Sequence, residues 1–174
     1  MTDIDRGRPP VVVMGVSGCG KSTVARALAR RWGVGFADAD DLHSPQNVAA
    51  MAAGRPLDDE ARAPWLVVVA RWLGEHQTGG VMACSALRRR YRDVLRSSAP
   101  GVVFLHLDGD PALIARRVSS RPDHFMPPAL LASQLQTLEP LGPGERGLVV
   151  DLAQPPDKIV TAFATWCAAV DPGT

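Results

Sequence analysis

The stretch "GVSGCGKST", Gly15 to Thr23, constrains the fold more than any other. Gly15, Gly20, Lys21 and Ser22 satisfy the spacing G-x-x-x-x-G-K-[ST] in full. Glycines in such a loop let backbone N–H groups turn inward onto phosphate oxygens, and the helix that follows adds its positive end. The motif therefore demands a buried strand before it and a helix after it. Both are present: "PVVVMGV" reads as a short buried strand, and "KSTVARALARRW" sets Val24, Leu28 and Trp32 at helical spacing. Lys21 is placed to bridge the outer phosphates and Ser22 to ligate Mg²⁺. Composition strengthens the reading. The chain has seventeen arginines and only two lysines, Lys21 and Lys158, so a compact ammonium stands where a phosphate loop needs one.

The rest of the chain alternates strand and helix. "VGFADAD", "GGVMACSA", "GVVFLHLDGD" and "GLVVDL" read as further strands. Helical patterns cover Asp59 to His76, "RRRYRDVLRSS", a segment opened by Asp110 and Pro111, Pro128 to Leu138, and Asp157 to Ala169. Strands separated by helices predict a five-stranded parallel sheet covered on both faces, an α/β three-layer sandwich. Ligands then sit beyond the carboxyl ends of the strands. At 174 residues the chain is expected to form one domain, with residues 1–9 as a flexible N-terminus. A formal net charge of +1 gives no field that points to nucleic acid or an anionic membrane. Apolar runs are strand-sized, too short to span a bilayer. "MTDIDRGRPP" lacks the apolar core of a signal peptide. Cys19, Cys84 and Cys167 form no CxxC pair, so a reduced, cytoplasmic chain is expected.

The loop alone leaves the fate of the phosphate open. No N-K-x-D segment is present to read guanine. Asp108 at the end of "VFLHLD" can imitate the acid of a motor or transporter ATPase. Small size and the residues after the second strand favour a small-molecule kinase. There "DADDLH" sets Asp38 and Asp40 two apart, facing the same way on an extended segment. One carboxylate can hold a Mg²⁺-bound water while the other takes the acceptor hydroxyl; Asp41 reads as a cap of the next helix. Arg62, Arg88 and Arg92 are candidates to grip an anionic acceptor, since a guanidinium fork fits a carboxylate. Arg89 and Arg90 read as a solvated face, and "RRRYR" is one short run, weak ground for nucleic acid. Arg117 and Arg121, four apart, share a helix face. An arginine beyond that helix can neutralise charge on the transferring phosphoryl group. Cys19 lies at a helix N-terminus, where the field favours a thiolate and hence reactivity.

From Val11 to about Val160 the sequence resembles the gluconate kinases, small P-loop kinases close to shikimate kinases in architecture. The resemblance rests on "GVSGCGKS", "DADDLHSPQNVAAMAAGRPLDDEARAPWL", "CSALRRRYRDVLR", "RPDHFMPPALLASQLQTLE" and "VVDLAQP". It implies ATP and Mg²⁺ as cofactors, D-gluconate as acceptor, a helical lid over about residues 117–140, and a homodimer. Residue by residue, it implies that Gly15, Ser17, Gly18, Cys19, Gly20, Lys21, Ser22 and Thr23 hold the phosphates. It puts Arg117, Gln154 and Pro155 beside adenine. Asp40, His43, Arg62, Arg88, Arg92 and His124 fall on the acceptor side. Asp38 holds the metal through water, and Lys21, Asp40 and Arg121 carry catalysis. Ala61, Arg88 and Cys19 depart from the residues common in that family. Kinases for shikimate or another small hydroxy acid, an ATP-binding sensor, and a nucleic-acid-binding ATPase are the competing readings.

Overall fold

A valine-rich run of fully buried residues, Pro10–Met14, forms strand β1 at the centre of a five-stranded parallel sheet. The computed structural model describes residues 7–121 and 128–170. The sheet order is β2-β3-β1-β4-β5, with β2 at Gly35–Asp38, β3 at Gly80–Ala83, β4 at Val103–Asp108 and β5 at Gly147–Asp151. β1 pairs with β3 from Pro10↔Gly80 and with β4 from Val11↔Val103. The chain leaves β1 for β2 on one side and later reaches β4 on the other. The carboxyl end of β1 is therefore the switch point at which such sheets bind ligands.

Alternating side chains divide the core. Val11, Val13, Val81, Val103 and Leu105 pack under helices α1 (Lys21–Trp32) and α7 (Pro156–Val170), meeting Leu28 and Phe163. Val12, Met14, Met82 and Phe104 face α3 (Asp59–Glu75) and α4 (Arg89–Ser98), meeting Val69, Leu73 and Leu95. Both faces are buried along the central strands β1, β3 and β4, which is why these read as nearly unbroken apolar runs instead of alternating ones. Helix α5 (Pro111–Ser119) opens as expected, with the Asp110 carboxylate accepting the Ala112 amide at 2.9 Å. Helix α6 spans Pro128–Thr137.

One helix lies outside the elements expected from the sequence. Pro45–Ala52 forms α2, capped by Ser44, whose hydroxyl accepts the Asn47 amide at 3.2 Å. None of its residues is buried, so it leaves no apolar stripe to detect. Ser44 followed by Pro45 was the available signal. It also displaces Asp41 from the capping role. The extended geometry expected for "DADD" ends at Asp38: residues Ala39–Leu42 form a 3-10 turn, with Asp38 accepting the Asp40 amide at 3.0 Å. Asp38 and Asp40 meet the phosphate loop through this turn, not by sharing one face of a strand.

Candidate functional site

The phosphate loop joins β1 to α1. Gly15 sits at φ +144°, and a Cβ there would meet the Cys19 sulfur and the Leu107 carbonyl at 2.8 Å each. Gly18, at φ +81°, lies hard against Val118 of α5. Gly20, at φ +97°, is the N-cap of α1 and supplies no side-chain cap, and the first turn of α1 carries no acid. The helix opening is thus left for an anion. Lys21 folds back across the loop, its Nζ donating to the Val16 carbonyl at 3.0 Å. Ser17 is already engaged: its amide donates to Gln134 Oε1 at 2.8 Å and Gln134 Nε2 donates to Ser17 Oγ at 3.2 Å. This clamp between loop and α6 was not anticipated. Thr23 is exposed on α1. The Cys19 thiol is turned under the loop and only 2% exposed, so the accessible, reactive thiol expected there is corrected to a residue packed in the core. Burial pushes the Cys84 thiol up to about 12, which keeps it protonated.

Ser22 Oγ donates to Asp38 Oδ2 at 2.5 Å. Hard oxygen donors of this kind, beside a phosphate site, suit Mg²⁺, which keeps several waters and takes few protein ligands. Among the described residues no cluster of three or more His, Cys, Asp or Glu side chains is placed to hold a metal ion.

The acceptor side gathers around the 3-10 turn. Asp40 is exposed at the mouth of the crevice, yet its crowded walls strip enough water to raise its carboxyl above the usual range. Asp38 and Asp41 push the same way, and Lys21 and His43 oppose. His43 stacks on Trp65, ring centroids 4.2 Å apart and planes 13° apart. Trp65 is itself fixed by its Nε1 donating to the Ala39 carbonyl at 2.7 Å. Asn47 lies 3.5 Å from His43 Nδ1 and donates to the Ala61 carbonyl at 3.0 Å. Burial lowers the His43 pKa, Arg62 lowers it further, and Asp40 works against both. A neutral imidazole held this way can bond a substrate hydroxyl. His43 precedes the Ser44 cap in extended backbone and Asn47 follows it on α2, so no helical spacing links the two in the sequence.

The arginines separate into distinct roles. Arg62 Nη1 donates to the Tyr91 hydroxyl at 2.9 Å. Arg88 is the N-cap residue of α4, and its buried Nε has no partner among the described residues. Arg92 does not match its expected role. It is fully buried, and its five N–H donors are all taken. Nε and Nη2 meet Glu145 at 2.6 and 3.1 Å, Nη1 meets the Ala86 and Leu87 carbonyls at 2.9 and 3.3 Å, and Nη2 reaches Pro140 at 3.2 Å. A guanidinium with no free donor and no exposure cannot hold a substrate carboxylate. Arg89 fastens α4 to the following segment through Glu139 and Pro143.

On the donor side, Arg117 is half-buried on α5 and Arg121 is exposed just past its end. Gln154 and Pro155 form an exposed turn after β5, its Gln154 amide on the Asp151 carbonyl at 3.2 Å. Beside it lies a cleft of about 500 Å³ lined by residues that include Asp108, Leu113, Arg116 and Ala153. His124 lies outside the described residues.

A phosphate loop at the switch point of a 2-3-1-4-5 parallel sheet, facing a carboxylate–imidazole–arginine crevice, defines a P-loop small-molecule kinase. Known proteins sharpen the class. A shikimate kinase family model matches residues 17–139. The chain is 46% identical over 164 residues to the gluconokinase of Gluconobacter oxydans (strain 621H), covering 92% of each chain. It is 39% identical over 155 residues to the thermoresistant gluconokinase of Escherichia coli (strain K12), covering 87% of this chain and 89% of that one. The crystal structure of a gluconokinase from Sinorhizobium meliloti 1021 superposes with a TM-score of 0.87 at 43% identity, over 95% of this chain and 94% of that chain. The shikimate kinase of Aquifex aeolicus, at TM-score 0.61 and 15% identity, shares the fold. The chain belongs to the gluconokinase family, and it is an ATP-dependent kinase.

Proposed function

We propose that the protein transfers the γ-phosphoryl group of ATP to the terminal hydroxyl of D-gluconate, yielding 6-phosphogluconate and ADP. The observation that carries this is the meeting of Asp40 and His43 with Lys21 and Ser22 across one crevice, with Asp38 bonded to Ser22 at 2.5 Å. The loop amides and the N-terminus of α1 take the outer phosphates, and Lys21 exchanges its Val16 carbonyl for phosphate oxygens. Ser22 and, through water, Asp38 would hold Mg²⁺, which would supply charge neutralisation for the phosphates. Asp40 orients the acceptor hydroxyl and accepts its proton as the new O–P bond forms and the bond to the β-phosphate oxygen breaks. His43 bonds a second hydroxyl. Arg62 and Arg88 hold the carboxylate, in place of Arg92, because theirs are the side chains with donors to spare. Arg121 neutralises charge on the transferring group, and His124 completes the acceptor side. Arg117, Gln154 and Pro155 frame adenine. A cytoplasmic location and a homodimer belong to the same proposal; no helix among the described residues is long and apolar enough to cross a membrane.

Release of ADP measured over a panel of gluconate, shikimate and other small hydroxy acids tests this reading. Gluconate-dependent turnover is expected. Turnover with shikimate alone, or tight ATP binding with no turnover on any acid, would overturn it.

A further inference from the structure

We propose that Tyr91 and Asp59 are positioning residues for the acceptor carboxylate, acting through Arg62. The proposal rests on the assignment of Arg62 to the acceptor made above. Tyr91, the single tyrosine of the chain, lies in the first turn of α4 with its ring buried. Its hydroxyl is 2.5 Å from Asp59 Oδ1 and 2.9 Å from Arg62 Nη1. A guanidinium has no acceptor, so the hydroxyl accepts from Arg62, and its one proton goes to Asp59. The second Asp59 oxygen takes Arg90. Every bond in the chain Arg62–Tyr91–Asp59–Arg90 therefore has a fixed direction.

This arrangement does what a direct Arg62–Asp59 ion pair would not. The carboxylate sits one hydroxyl away from Arg62, so the guanidinium is held without being neutralised. Tyr91 is its one hydrogen-bond partner among the described residues, and its other N–H groups are left for a ligand. The Arg62 guanidinium carbon also rests 5.3 Å from the centroid of the Tyr91 ring, a second contact with the same side chain. Asp59 and Arg62 belong to the first turns of α3, and Tyr91 to that of α4, so the relay clips the two helix starts together at the crevice. An arginine loses substantial rotamer freedom when it binds, and a guanidinium already held in place loses less of it at that moment.

The test is steady-state kinetics with gluconate and ATP on Tyr91→Phe, Asp59→Asn, Arg62→Ala and the Tyr91→Phe/Arg62→Ala double variant. Tyr91→Phe keeps the buried ring and loses one hydrogen bond. Its gluconate KM is expected to rise roughly three- to tenfold, with kcat and ATP KM held within about twofold. Asp59→Asn retains an oxygen for the Tyr91 proton and should raise gluconate KM less. The double variant should match Arg62→Ala alone, because Tyr91 acts through Arg62. A raised gluconate KM in Arg62→Ala beside an unchanged one in Tyr91→Phe would overturn the relay alone, as would full additivity in the double variant. An unchanged gluconate KM in Arg62→Ala would overturn the assignment of Arg62 and the relay with it.

Discussion

Asp40 shows how a single side chain acquires chemistry from its surroundings. The crowded crevice walls strip water from it and lift its carboxyl above the usual carboxylate range, while Lys21 and His43 hold it down. A carboxyl displaced upward is a better proton acceptor at neutral pH than an ordinary one. The base form is the active one, so activity is present above the raised pKa and is lost as pH falls through it. The acidic limb of the kcat/KM profile is therefore expected above the ordinary aspartate range. Asp40→Asn keeps the shape, removes the charge, and should lower kcat by about 10²-fold or more while abolishing that limb. If Asp40 only ended the 3-10 turn, Asp40→Asn would retain both turnover and limb, and a pH–rate profile of the two proteins decides. His43 carries the opposite lesson: its ring is oriented by stacking on Trp65 and by Asn47, neighbours that have no chemistry of their own in the transfer.

At the scale of elements, Arg92 is the joint. From α4 it reaches the loop after β3 through the Ala86 and Leu87 carbonyls and the segment before β5 through Glu145 and Pro140. Ala86, at φ +43°, is the one non-glycine residue in the left-handed region among those described. Arg92 grips the strained residue directly and so sets the crevice wall that carries Arg88. Burial works to raise the Glu145 carboxyl, but Arg92 and the Gly142 amide outweigh it and hold the carboxyl below its ordinary range. Removing one partner of a buried ion pair typically costs about 3–5 kcal/mol. Arg92→Ala should therefore lose stability on that scale in urea unfolding, with Glu145→Gln destabilising as well. A selective rise in gluconate KM with unchanged stability would instead return Arg92 to the acceptor.

Across the whole molecule, His106 sets a limit on acid tolerance. It lies on central strand β4, 2% exposed, registered beside Met14 and Val149, and neither ring nitrogen has a partner among the described residues. Burial lowers its pKa, Arg92 adds to the effect, and Asp108 opposes it. The ring is thus neutral in the fold, whereas in the unfolded chain it titrates near the ordinary value of about 6.5. Its contribution is fully present above that value and is lost as pH falls below it, by up to about 1.4 kcal/mol per pH unit. His43, also lowered, contributes in the same sense, so the measurement is a difference. Urea unfolding of the parent and of His106→Phe at pH 7.5 and 5.5 should show the smaller pH dependence in the variant. Equal dependence in both would remove His106 as the cause.

The sequence by itself determined the sheet, the phosphate loop and the class of chemistry. Those features are local: a buried apolar strand, glycines at backbone conformations other residues resist, and a lysine at a fixed spacing all act within a few residues of one another. The family likeness added the acceptor because its motifs are contiguous stretches. Tertiary structure alone decided which arginines are free. Arg88, Arg89, Arg90 and Arg92 look alike in a line of text. Yet one has an unpartnered buried nitrogen, two fasten surface segments, and one is sealed in the core by Glu145, more than fifty residues away. The Gln134 clamp on Ser17, the Tyr91 relay and the unburied helix α2 escaped for the same reason. Their partners are distant in sequence or their faces carry no apolar period, and a hydrogen bond between remote side chains leaves no mark on the pattern of either segment.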